Sequence, residues 1–131
     1  MRKISQQAVA YFVGNRSRKL GNTVVSPYFC EQPLTRHNLR VKDYNPNCVM
    51  LLHGNAIAWK AGSYLYVTLA GWNTPTTRER LNTLLGAYGI DAYFFQHRHA
   101  ACFGTHDDYL DRMDYATVCI HTGARDFIVY R

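Results

Sequence analysis

VMLLHGNAIAWKAGSYLYVTLA, residues 49–70, is the stretch that decides the fold. Three apolar runs, VMLLH, AIAWK and YLYVTLA, are separated by Gly54-Asn55 and by Ala61-Gly62-Ser63. Gly and Asn tolerate the positive φ angles that tight hairpin turns demand, so the spacing predicts a three-stranded antiparallel meander. Within the third run Tyr64, Tyr66 and Thr68 alternate with Leu65, Val67 and Leu69, the period that sends neighbouring side chains to opposite faces of a sheet.

The sequence on either side holds candidates to cover that sheet. Downstream of Gly71-Trp72-Asn73, Thr76 and Glu79 have the spacing of a capping box, and Leu81, Leu84, Leu85 and Tyr88 follow at helical intervals. Upstream, Ile4, Ala8 and Phe12 predict a short amphipathic helix over residues 5–14, with Ser5 as its cap and Gly14-Asn15 as its end. The basic stretch Arg16-Ser17-Arg18-Lys19 then leads through Gly21-Asn22 into a strand at Thr23-Val24-Val25, halted by Pro27. Residues 26–47 show no sustained period and read as a long loop insertion with one strand near Leu39 to Val41, a place where binding contacts concentrate.

Four further apolar or aromatic runs occupy the last third: Tyr93 to Phe95, Ala100 to Phe103, Ala116 to His121, and Phe127 to Tyr130. The final two predict a hairpin, and Asp107 to Met113 reads as a helical turn between strands. The pattern as a whole specifies a single α+β domain over residues 1–131. It is mostly antiparallel sheet, a meander plus a C-terminal hairpin, with two short helices packed on it.

A chain of 131 residues is long enough to bury a core without staples. Cys30, Cys48, Cys102 and Cys119 are scattered rather than paired at close spacing. Gln6 and Gln7 interrupt what a signal peptide would need as an apolar run, and no stretch has the length of a membrane span. The expectation is a cytoplasmic protein with reduced thiols and no membrane partner. Fifteen Lys and Arg against nine Asp and Glu give a formal charge of +6, which makes nucleic acid the first partner expectation and a host protein the second.

Taken together, Gly21-Asn22-Thr23, Leu52-His53-Gly54-Asn55-Ala56-Ile57-Ala58, Gly71-Trp72 and Thr76-Thr77-Arg78-Glu79-Arg80-Leu81-Asn82 form an ordered series. The series resembles a group of short phage and prophage proteins of unknown function. In that group a KIS-type helix leads to a GNT strand, an LHGN-IA hairpin and a GW-x-T-x-TT-x-RLN helix start. The resemblance covers roughly residues 2–85 and implies a viral origin and a shared fold, with no assigned catalytic residue. This chain departs from the pattern at residues 26–47 and at its end, where a short Trp-rich hairpin is missing.

For nucleic acid the candidate contacts are Arg16, Arg18 and Lys19 in the basic stretch, and Arg78 and Arg80 at the second helix start, where backbone donors favour phosphate. Trp59, Tyr64, Tyr66 and Trp72 beside Lys60 offer either a stacking platform or ordinary sheet core. His97, His99, Cys102 and His106 contain the ligand types of a metal site without its spacing. Were residues 93–103 one strand, His97 and His99 would share a face and Cys102 would point away. A Cys102 nucleophile with His99 or His106 lacks a visible oxyanion loop or orienting third group. No phosphate-cradling glycine motif is present, and Asp107, Asp108, Asp111 and Asp114 lack the pattern of a calcium loop. The reading is therefore a phage accessory protein that acts by binding, without cofactor, with a host-protein-binding inhibitor or anti-defence factor as the alternative and a small metal- or Cys-dependent enzyme as the third.

Overall fold

The computed structural model of the protein describes residues 2–27 and 48–131. Helix α1, Arg2–Val13, opens the chain and buries Ala8, Val9 and Phe12. It begins ahead of the residue expected to cap it. Ser5 lies within the helix, fully buried, because its hydroxyl is engaged from the far side by the Arg80 guanidinium. Strands β1, Arg18–Leu20, and β2, Thr23–Ser26, form a hairpin across Gly21-Asn22. The strand expected near Leu39 to Val41 lies outside the described residues, as does most of the 26–47 insertion.

The meander follows as β3, Cys48–Leu52, β4, Asn55–Ala61, and β5, Tyr64–Thr68. Its first turn is made by His53 and Gly54, at φ 52° and 81°, one residue earlier than the Gly-Asn reading implies. Helix α2, Pro75–Ala87, is capped by Thr74, whose side chain accepts from the Thr77 backbone N–H. This moves the cap two residues upstream of the Thr76–Glu79 box, because Pro75 has no N–H and suits the first helical position. Glu79 is left to pair with Arg80.

Beyond α2 come β6, Tyr93–His97, β7, Ala100–Gly104, and β8, Tyr109–Leu110, then β9, Thr117–His121, and β10, Phe127–Tyr130. Residues 107–113 hold the short strand β8 and not a helical turn. The main sheet has the order β1-β2-β3-β4-β5-β9-β10 with every neighbour antiparallel, so the C-terminal hairpin extends the meander directly. A second sheet has the order β6-β7-β8.

Register explains the core. Val25, Met50, Ala58, Val67, Val118 and Val129 stand in one row across the main sheet, on the face that meets both helices. Leu81, Leu84 and Leu85 of α2 close over that face together with Phe94, Ala101 and Phe103 of the second sheet. On the opposite face Val49, Trp59, Tyr66 and Cys119 form a second buried cluster, with Trp59 and Tyr66 stacked at 5.6 Å and 5°. Asn82 ties α2 to β6 by bonding both backbone groups of Phe94 at 2.8 Å.

Candidate functional site

The five candidate cations fall into three environments. Arg80 is 5% exposed, its Nη1 donating to Ser5 Oγ at 2.6 Å and to Glu79 Oε2 at 3.2 Å, and its Nε donating to Thr23 Oγ1 at 3.1 Å. One guanidinium thus joins α1, β2 and α2. Burial pushes it below its ordinary pKa range and Glu79 pulls it back up; an arginine stays charged under both influences. Its Nε and Nη1 serve these buried partners and the group is 5% exposed, a placement unlike that of the other four candidates.

Arg78, two residues away, sits on another side of the helix. Its Nη1 donates to Asn73 Oδ1 at 2.6 Å and to Gln96 Oε1 at 3.4 Å, orienting the group while leaving a full positive charge. Arg16, Arg18 and Lys19 are all exposed, and Arg16 and Arg18 come together, while Lys19, next in β1, leaves the strand from the opposite face. The Arg16 and Arg18 guanidiniums lie over the Tyr11 ring at 4.7 and 5.4 Å from its centroid. Among the described residues no ion pair joins Arg16, Arg18 or Lys19 to a carboxylate, in contrast to the Arg80–Glu79 salt bridge. Residues 1–60 hold nine of the fifteen Lys and Arg but two of the nine Asp and Glu, so the positive charge is concentrated in the half of the chain that carries this patch. Lys60 Nζ donates to the Val13 carbonyl at the end of α1 and lies over the Phe12 ring at 5.2 Å, and burial lowers its pKa.

A cavity of about 420 Å³ opens where the β3–β4 turn meets the start of α2. Leu52, His53 and Ile57 line it from the hairpin, and Trp72, Thr74, Thr76 and Thr77 line it from the α2 side. These residues come from sequence motifs far apart in the chain. Gly71 explains the placing of Trp72: at φ 84° its backbone lies against Tyr115, where an added Cβ would come within 2.6 Å of the ring, and the next residue is turned outward, 55% exposed. The cavity adjoins the basic hairpin, because the His53 N–H donates to the Asn22 carbonyl at 2.9 Å, in the turn where β1 ends.

His97, Cys102 and His106 lie on one face of the second sheet, and His99 lies in its turn. Residues 93–103 are a hairpin and not one strand, since Arg98 and His99 form its turn at φ 51° and 67°. His97 packs on Tyr109, and His106 lies between Tyr93 and Phe95. Cys102 is buried between neighbouring strands, its thiol donating to the Ala100 carbonyl. Burial raises its pKa, opposite to the activation a nucleophilic thiolate requires. Among the described residues no group of three or more His, Cys, Asp or Glu is placed to hold a metal ion.

Of the four aromatics considered for stacking, Trp59 and Tyr66 are buried, and Tyr64 and Trp72 are exposed. Sequence reading missed Tyr11 as the ring beneath the arginines; its spacing of five from Arg16 and seven from Arg18 gives no local signal, because the contact depends on how the chain reverses after α1. It also missed the outer face of the second sheet, where Tyr93, Phe95 and Tyr109 cluster. None of the helices among the described residues is long and apolar enough to cross a membrane. A family model described as Kyanoviridae Gp96 protein matches residues 1–122. Neither the curated proteins nor the solved structures contain a match to the chain.

Proposed function

The chain belongs to the Kyanoviridae Gp96 family of phage proteins, and we propose that it acts by binding nucleic acid through the basic hairpin at Arg16, Arg18 and Lys19. The observation that carries this reading is the pair of guanidiniums held over Tyr11 without a described carboxylate partner. Guanidiniums pre-positioned on an aromatic ring and exposed to solvent carry a charge that an external anion can reach. Phosphate contacts of this kind are sequence-tolerant and displace condensed counterions. Arg78 is a further contact, outside the Tyr11 cluster. The working compartment in this reading is the cytoplasm of the infected host.

The test is a salt series with DNA and RNA. Changing Arg16, Arg18 and Lys19 to Gln should flatten the logarithmic salt dependence by about 0.7 to 0.9 for each phosphate no longer neutralised. Wild-type binding no tighter than about 10⁻⁴ M at low salt would remove the nucleic-acid reading. In its place would stand capture of a host protein, which β10 favours: it is an edge strand, and Phe127, Ile128 and Tyr130 are each more than two-fifths exposed. A pull-down from host lysate with and without nuclease separates the two readings.

A further inference from the structure

We infer that the cavity between the β3–β4 turn and the start of α2 receives one unstacked base of a single strand whose backbone lies along the basic hairpin. The inference rests on the nucleic-acid reading and narrows it from any polyanion to single strands. Its first ground is the contrast between the two tryptophans. Trp59 is fully buried against Tyr66, whereas Trp72 is 55% exposed and lines a cavity. An exposed indole beside an apolar recess is the surface on which a base stacks, and stacking on aromatic side chains is the usual means of holding single strands.

The second ground is the chemistry of the recess. Leu52 and Ile57 contribute apolar surface, and His53, exposed in the β3–β4 turn, adds a polar side chain beside them. Its volume, about 420 Å³, falls within the range of pre-formed small-ligand sites. The third ground is charge complementarity. Among the described residues no carboxylate lines the cavity, and it is joined through the Asn22–His53 hydrogen bond to the turn that ends the strand bearing Arg18 and Lys19. A strand following those cations reaches the recess without meeting a negative group among its lining residues. Bases in a duplex are already stacked and paired, so the recess selects against double strands.

The arrangement gives a direct optical readout, since the chain has two tryptophans and Trp72 is the exposed one. Oligothymidylate should quench tryptophan emission, and Trp72→Ala should weaken its binding roughly 5- to 150-fold, the range set by one base–aromatic stack. Trp72→Phe should recover part of the loss. The salt dependence, and the affinity for an abasic strand of equal length or for a duplex, should stay as in wild type. Because Trp72 is exposed, the variant should melt near the wild-type temperature, which separates lost stacking from lost folding.

If Trp72→Ala leaves oligothymidylate affinity unchanged, or the abasic strand binds as tightly, the base pocket is overturned. The backbone reading then survives provided the Arg16 and Arg18 variants still lose salt dependence. If no polymer binds at low salt, the backbone reading fails. Quenching of Trp72 by thymidine monophosphate would then uphold the pocket as a nucleotide site, and absence of quenching would overturn it as well.

Discussion

Arg80 and the pair Arg16 and Arg18 show one side chain in two opposite uses. At the junction of α1, β2 and α2 the Arg80 guanidinium is sealed from water and serves Ser5, Thr23 and Glu79. At the β1 hairpin Arg16 and Arg18 remain exposed, with a ring beneath them and no described carboxylate beside them. The difference teaches that a formal net charge of +6 weighs a buried cation the same as an exposed one. Arg80, spaced like a phosphate ligand at a helix start, is a framework residue, whereas Arg16, Arg18 and Lys19 stay exposed.

Variants at two residues probe the framework half of this contrast. The larger effect is expected from Leu84→Ala, since Leu84 is fully buried on the same side of α2 as Arg80. The loss should be about 2–5 kcal/mol by denaturant unfolding, from the transfer of the side chain and the cavity left behind. A change below about half a kcal/mol would mean that α2 does not seal the sheet. Arg80→Ala should cost about 2–3 kcal/mol, because the Ser5 and Thr23 hydroxyls lose a charged donor in a buried site. Arg80→Lys should fail to rescue it, for an ammonium cannot reproduce the fork that reaches both hydroxyls. Full rescue by lysine would show that the junction needs only a charge, and the contrast with the exposed arginines would lose its geometric basis.

Most of the fold was legible because it is written in local periods. The alternation in residues 64–69, the stripe at Leu81, Leu84 and Leu85, and the turn residues between strands each report on neighbours close in sequence. What was not legible depended on partners far away. Ser5 has the chemistry of a cap, and only the approach of Arg80, 75 residues on, turns it into a buried acceptor. Thr76 and Glu79 match a capping box, yet the Thr74-Pro75 step competes for the same start and prevails. The cavity was the least visible feature, since its lining comes from two segments whose meeting depends on the packing of α2 against the main sheet.

The smallest stability effect is expected where the binding effect should be largest. Replacing Arg16 and Arg18 together by Gln removes two cation–π interactions with Tyr11, and at exposed sites each is worth about 0.5–1 kcal/mol. Against that loss, two like charges sharing one ring repel each other, and their removal returns part of the energy. Gln keeps enough of the side-chain stem to cover the ring, and β1 is an edge strand whose backbone pairing with β2 does not involve these side chains. The net change should stay under about 1 kcal/mol in urea unfolding, while the same protein loses salt-dependent affinity for nucleic acid. A loss above about 2 kcal/mol would place Arg16 and Arg18 in the framework beside Arg80 and erase the distinction between the two regions. A stable variant with unchanged affinity would leave the exposed cluster without the role argued for it.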